Sequence, residues 1–512
     1  MSLLEDQLVV TPNSKKKKKK RLSSWSNLLL KNSNPLKHVV FSMHLQPFSA
    51  SPVVSPSPPK TIPSELFDRA SSLSKKCEKF KEVVLSNLPR VDRTVMLSDD
   101  IMLNILSKLS VSQRNNNCLV CKRWLNLQGR LVRSVRVLEW DFLESGRLNF
   151  RFPNLTKVDM VSGCFSSVEA LSVWVSNRHV TMGTDSIIYG FCPVWRVSEE
   201  RLLPSETIDR GLGILAASCP NLRRLAVVGA SQLGLLSVAE ECSTLQELEL
   251  HKCNDDVLRG IAACGNLQVL RLIGKVDDFY TSSVTDTGLT ILAQGCNRLV
   301  KLELTGCEGG FDGIKALGQC CPMLEELTIS DHRMEGNWLA GLPFCENLRS
   351  LRILSCKSFD SCAGVGDDYG SCPALERLFL HNCLLKDRRS IKALFKVCEA
   401  VQEIDIEDCW GFGDDALILA NSCRHVHSLS LVGCSLLTAG GLETLLLSWT
   451  ELKQLRIESC KNIKNCDVSA ALSAKISDLK ELRWRPDSKQ LLASGLRGAG
   501  IAKRGSKFFR KL

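Results

Sequence analysis

The chain has 512 residues, 44% of them hydrophobic and only 6% aromatic, with 24 cysteines; that length holds several ordinary domains or one long repeat array. Its formal net charge of +11 sits at the two ends, because residues 1–60 carry ten Lys/Arg against two acids and residues 485–512 carry eight against one. The middle is therefore mildly acidic, which argues against a nucleic-acid surface there. Met1 to Val10 hold two acids and no long apolar core, and no stretch approaches 18 uninterrupted apolar residues. Neither a signal peptide nor a membrane helix is expected, so the cysteines are expected to be reduced and packed as small hydrophobes in a reducing compartment.

Residues 1–64 are expected to be disordered. Lys15 to Lys20 and Arg21 form an unbroken basic run, and Ser- and Pro-rich segments follow, ending at Ser49–Lys60; such composition buries too little apolar surface to offset its ordering entropy. The basic run suits a nuclear localisation signal, with a solvated tail or an organelle transit peptide as the other readings. Over 65–90, the spacing of Leu66, Leu73, Phe80 and Val84 predicts a helix that Pro89 stops.

Residues 91–136 form a second unit. Leu97, Ile101, Ile105 and Leu109 stand at i+4 steps and predict one helical stripe, with Ser98 as N-cap and Asp99 and Asp100 at the positive end of the helix dipole. A polar turn is expected at Ser112–Asn117, then a helix through Leu119, Trp124, Leu127 and Leu131, with Cys118 and Cys121 inside it. Two or three short helices make too small a core to stand alone.

The pattern LSDDIMLNILSKL followed by LVCKRW resembles the F-box. That resemblance implies helices that dock a Skp-type adaptor. Leu97, Ile101, Ile105, Leu106 and Leu109 match the family's first apolar set, and Leu119, Val120 and Trp124, together with Cys121, match its second. Where the family usually has prolines this chain has Ser98 and Ser110, and Asp100 replaces the usual Glu. The other reading of the unit is a plain helical cap on the region that follows.

From 137 to 485 the chain is a repeat array. Frames start at cysteines 219, 242, 264, 296, 321, 345, 372, 398 and 423 and continue at Trp449 and Ile476, with a degenerate first repeat at Phe152 and about 12 repeats in all. Positions +3, +6 and +8 are apolar in all eleven regular frames, and +11 is Cys in seven of them. The mean step of about 26 residues lies in the leucine-rich-repeat range. The alternation at +5 to +9 predicts a strand with one face inward, and the remainder of each repeat predicts a helix. The fold class is α/β: a small helical F-box followed by a leucine-rich-repeat solenoid, with a parallel sheet on the concave face and helices on the convex face. The array resembles the cysteine-containing repeats often found behind F-boxes. Residues 172–206 are expected to be an irregular insertion, and 486–512 a basic tail.

No catalytic constellation, metal site or cofactor site is expected. The outward residues at +5, +7 and +9 are the candidate protein-binding surface, notably Arg377, Phe379 and His381, Glu403, Asp405 and Glu407, and Arg456, with an exposed Phe379 beside an acidic row; Glu247, Glu249 and His251 belong to the same set. The resemblance implies a non-catalytic substrate receptor of a Skp–cullin–F-box ubiquitin ligase, with a Skp-type adaptor, a cullin reached through it, and a protein substrate as partners in nucleus or cytoplasm. The alternative is a repeat scaffold or inhibitor that assembles no ligase.

Overall fold

The structure, a computed structural model, describes residues 39–41, 93–165, 173–175, 202–274, 284–331, 337–357 and 369–486. The helix expected at 65–90, the basic run and the tail beyond 486 lie outside the described residues.

One sheet of fifteen strands carries the architecture. Thirteen follow one another in parallel. The first two are β2 (Ser134–Val137) and β3 (Lys157–Asp159). The others are β5 (Arg224–Val228), β6 (Glu247–His251), β7 (Val269–Ile273), β8 (Lys301–Thr305), β9 (Glu326–Ser330), β10 (Ser350–Leu354), β11 (Arg377–His381), β12 (Glu403–Glu407), β13 (Ser428–Val432), β14 (Gln454–Glu458) and β15 (Glu481–Arg485). β1 (Val39–Phe41) and β4 (Val173–Val175) pair antiparallel beyond β2. Val39–Phe41, a β-favouring apolar triplet within the segment expected to be disordered, pairs along the edge of β4. The insertion expected at 172–206 likewise supplies β4 and, at Ser205, the start of the helix Ser205–Ser218.

β5 to β15 occupy the +5 to +9 positions of the eleven frames, and each position lies beside its equivalent in the next repeat, as in Phe379, Asp405, Ser430, Arg456 and Arg483. The +6 and +8 side chains are buried in the first ten frames; in the last, Leu482 and Trp484 are half-buried. β2 begins three residues before the expected start of the array, adding a strand to the twelve expected. Val132, Val135 and Val137 keep the +3, +6, +8 spacing, but valines replace the leucines and no cysteine opens the frame.

Three devices join repeat to repeat. At +10, directly after each strand, the backbone is left-handed at nine positions, including Lys252, Asn382 and Asp408 (φ 52–56°) and Gly306 and Gly433 (φ 63° and 69°). The turned amide donates to the +9 carbonyl of the next repeat, for example Asn382 to Glu407 at 2.9 Å and Asp408 to Val432 at 2.8 Å. The cysteine thiols donate to the preceding repeat, as Cys409 does to the Leu380 carbonyl (3.2 Å) and Cys423 to the Cys398 carbonyl (3.3 Å). On the helical side an aspartate clasps the N-cap of the next helix: Asp209 accepts from Ser231 N (2.9 Å), Asp255 from Thr285 N (2.8 Å), and Asp414 from Thr438 N (2.9 Å). These satisfy polar groups that a helix start would otherwise leave open.

The F-box unit has its own small core of Met102, Leu106 and Leu127. Three helices build it: α1 (Asp99–Lys108), α2 (Val111–Asn117) and α3 (Lys122–Leu131). The turn expected at Ser112–Asn117 is thus helical. Its start is fixed by Ser110, whose backbone N–H donates to the Gln113 side chain at 3.1 Å. Cys118 closes α2 and Cys121 caps α3, so the two cysteines straddle a turn and do not lie within one helix. α3 packs directly onto the first repeats. A Cβ on Gly129 would sit 2.0 Å from the Arg151 carbonyl oxygen, and Asn154 donates to the Arg130 carbonyl at 2.8 Å.

Candidate functional site

Two surfaces carry polar or apolar groups that the fold leaves unmatched. The first is on the F-box unit. The stripe expected along α1, Leu97, Ile101, Ile105 and Leu109, is not the buried one: Met102 and Leu106 point into the core, while Ile101 and Ile105, one turn apart, point out. Leu106 is fully buried and so cannot contact a partner in this conformation; it holds α1 against α3. Leu97, Leu109 and Trp124 are half-buried against the same core. Leu119 and Val120 lie in the turn before α3, which starts later than the leucine spacing suggested. Ile101, Ile105, Leu119 and Val120, with Val95 and Met96, which the sequence reading missed, are 45–85% exposed. Six apolar side chains thus stand open on this small unit.

Polar contacts hold that surface in shape. Arg123 pairs with Asp99 at 2.9 Å and donates to the Thr94 carbonyl at 2.9 Å, tying α3 to the segment before α1. Ser98, standing where the family pattern has proline, caps α1 by accepting from Ile101 N at 3.4 Å. The other substituted position, Ser110, starts α2. Both serines thus take on helix-starting roles.

The second surface is the concave face of the sheet, which divides along its length. Over β5 to β9, acid and base alternate across strands and neutralise each other. Arg224 meets Glu247 at 2.9 Å, Arg271 meets Glu303 at 2.8 Å, and Lys301 bridges Glu303 and Glu326 at 3.1 and 3.2 Å. Glu249 and His251, expected on the binding surface, are buried against each other at 3.1 Å.

Over β11 to β15 the pairs run partly along a strand, as Arg456 with Glu458 at 3.0 Å and Arg483 with Glu481 at 3.2 Å. A trough of about 340 Å³ runs across these strands, lined by Phe379, Glu403, Asp405, Ser428, Ser430, Gln454, Arg456, Glu481 and Arg483. Phe379 is half-buried, not exposed as expected, because the parallel register sets the Arg352 guanidinium 4.6 Å above its ring and His381 at its edge. His381 Nε2 lies 3.6 Å from Asp405 Oδ2. Burial pushes the Asp405 carboxyl up, but His381 and Ser430 beside it and the Arg456 charge outweigh burial and hold it below the usual carboxylate range. Arg456 donates to Glu458 at 3.0 Å. Four of the expected residues, Phe379, Glu403, Asp405 and Arg456, thus share the trough; Arg377, His381 and Glu407 belong to the same two strands outside its lining.

No family model matches the chain. Curated relatives do. The chain is 23% identical over 434 residues to the F-box protein MAX2 homolog A of Petunia hybrida, covering 72% of this chain and 57% of that protein. It is 29% identical over 168 residues to the Coronatine-insensitive protein homolog 1b of Oryza sativa subsp. japonica, covering 29% of this chain and 28% of that one. It is 25% identical over 219 residues to the BTB/POZ domain-containing protein FBL11 of Arabidopsis thaliana, covering 35% of this chain and 22% of that one. The matches thus span little more than half of the first relative and less than a third of the other two. Two solved structures are also similar. One is the leucine-rich-repeat protein LegL7 of Legionella pneumophila, at 12% identity and TM-score 0.33 over 68% of this chain and 98% of that one. The other is a chain of the yeast Rad7–Elc1 complex, at 13% identity and TM-score 0.31 over 81% of this chain and 99% of that one.

The chain is similar to F-box proteins and is built as a leucine-rich-repeat solenoid. The open apolar groups lie on the helical unit and the polar trough on the far strands of the solenoid. Val95 and Met96 escaped the sequence reading because they precede α1, where no helical spacing marks them. Ser428 and Ser430 escaped it because small residues signal nothing until the register sets them between larger neighbours.

Proposed function

We propose that this protein is the substrate-recognition subunit of a Skp–cullin–F-box ubiquitin ligase. The F-box docks a Skp-type adaptor and, through it, a cullin; the concave strands hold a protein that is then ubiquitinated and degraded. The observation that carries this reading is the exposed apolar set on the helical unit of a chain whose repeats form a polar trough on the far strands. Such a subunit needs no active site of its own, because it acts by raising the effective concentration of substrate lysines near a charged enzyme. The Lys15–Arg21 run supports action in the nucleus as well as the cytoplasm.

The experiment is affinity capture with mass spectrometry, comparing the wild-type chain with an Ile101→Asp/Ile105→Asp variant whose solenoid is unchanged. Loss of adaptor contact spares the substrate from degradation. A substrate is therefore expected to be enriched on the variant, while the adaptor and cullin are depleted. Capture of the same proteins at the same levels by both chains would contradict the proposal.

A further inference from the structure

Apolar side chains also stand open on one rim of the solenoid, away from the helical unit and the trough. The turns that lead from each strand to its helix form this rim. Trp410, in the turn after β12, is 73% exposed, whereas Trp338 and Trp449 are fully buried. Leu384 holds the equivalent place in the preceding repeat and is bridged to Trp410; Leu436, 52% exposed, is bridged to Gly413 in the same turn as Trp410. The backbone of Trp410 is held on both sides. Its N–H donates to the Cys383 carbonyl (2.8 Å), and its carbonyl accepts from Leu385 N–H (2.7 Å). Gly411 then turns the chain at φ 82°, in the left-handed region, where a Cβ would stand 2.8 Å from the Leu385 carbonyl oxygen. The largest of side chains, presented to solvent from so fixed a turn, is a preorganised contact group.

Beside Trp410 lies a groove of about 390 Å³, between the starts of the helices Arg388–Val397 and Asp414–Leu419. Gly411 and Gly413 leave it open, and Ile391 and Ala416 give it an apolar lining. Lys386 and Arg388 stand on one wall, exposed and in no ion pair among the described residues. On the other wall Asp414 is engaged by Thr438, accepting from its N–H (2.9 Å) and its hydroxyl (2.6 Å). Asp415 lies in the first turn of its helix, at the positive end of the dipole. The charge left uncompensated at the groove is therefore positive, next to open apolar surface. We propose that this rim docks a short segment of a partner protein that carries a bulky apolar side chain between carboxylates. The apolar side chain packs on Trp410 and Leu436 and enters the groove, and the carboxylates pair with Lys386 and Arg388. A second copy of this chain fits less well, because a twofold pairing about Trp410 brings both pairs of cations to one interface. The proposal needs neither the adaptor nor the trough.

The test uses the full chain and four pools of immobilised decapeptides, with randomised flanks around a central Glu-Leu-Glu, Lys-Leu-Lys, Glu-Ser-Glu or Lys-Ser-Lys. The wild type is expected to retain Glu-Leu-Glu best, about fivefold over Lys-Leu-Lys, as two exposed ion pairs allow. Its margin over Glu-Ser-Glu is expected to be about tenfold, the low end of what burying a leucine side chain gives. Lys386→Glu/Arg388→Glu is expected to shift the preference to Lys-Leu-Lys, a gain that misfolding cannot create. Trp410→Ala is expected to retain Glu-Leu-Glu no better than Glu-Ser-Glu, with an unchanged melting temperature because the side chain is exposed. Equal retention of the four pools, a wild-type preference for Lys-Leu-Lys, no retention of any pool, or a Trp410→Ala variant with the wild-type preference overturns the proposal. A wild-type dimer in light scattering that Trp410→Ala dissolves assigns the rim to a second copy and overturns it as well. Adaptor binding is expected to stay unchanged in both variants, so failure here leaves the proposed function standing.

Discussion

The repeat thiols show how one residue type serves packing and polar satisfaction together. They are small enough for the narrow seam between repeats, and several S–H groups reach back to a carbonyl of the repeat before, as Cys242 does to Cys219 (3.5 Å) and Cys321 to Cys296 (3.4 Å). Burial pushes the thiols of Cys164, Cys253, Cys345 and Cys423 up to about 12. Because the thiolate is the reactive form, these groups are almost entirely unreactive near pH 8. In native protein treated with a maleimide at that pH, exposed Cys121 is expected to label first and the buried repeat cysteines only after denaturation. Fast native labelling of the repeat cysteines, or thiols that emerge only after reduction, would contradict their role as buried free donors. The cysteine periodicity itself was legible in the sequence, since position and spacing recur. The thiol partners were not, because the accepting carbonyls lie in the preceding repeat and enter only with the stacking.

Between elements, the aspartate clasps explain a set of glycines. A Cβ on Gly234 would stand 2.2 Å from Asp209 Oδ1 and 2.7 Å from its Cγ, and one on Gly441 would stand 2.1 Å from Asp414 Oδ1. The glycine makes room for the carboxylate that holds the N-cap residue of its own helix. Asp209→Ala is therefore expected to destabilise the protein by about 1–2 kcal/mol, the usual loss of a helix cap. Gly234→Ala alone is expected to destabilise as well. Added to Asp209→Ala, it is expected to cost far less or to stabilise, because the obstructing carboxylate is gone and alanine favours a helix by about 1 kcal/mol. Denaturant melts of the four proteins measure this cycle, and simple additivity would contradict the clasp. The frame at +3, +6 and +8 made the strands β5 to β15 readable to the residue, because burial on one face imposes the same alternation in each repeat. The clasps were hidden: Asp209 and Ser231 are 22 residues apart, but Asp255 and Thr285 are 30 apart, so no fixed spacing reveals them. The helix Val111–Asn117 was missed for a different reason. Its run of asparagines has no apolar period, and only the Ser110–Gln113 pair marks its start.

At the scale of the whole molecule, one continuous packed chain runs from the open apolar side chains of the helical unit, through α3 across Gly129, to the stacked repeats and the trough on their far strands. How the concave face divides was not legible in the sequence, because charges at +5, +7 and +9 look alike until the register pairs Arg271 with Glu303 across strands and Arg456 with Glu458 along one. Of the residues that matched the family's apolar sets, Ile101, Ile105, Leu119 and Val120 stand open and Leu106 is turned inward, a division that the spacing alone did not reveal. The role of this open set as a docking surface is the claim on which the proposed function depends most, and co-expression with a Skp-type adaptor tests it directly. The wild-type chain is expected to co-purify with the adaptor in equal amounts. Ile101→Asp/Ile105→Asp is expected to lose at least about 2 kcal/mol of binding, roughly thirtyfold in affinity, with an unchanged melting temperature because both side chains are exposed. A wild-type chain that does not bind the adaptor, or a stable variant that binds it as well as the wild type does, would contradict the account.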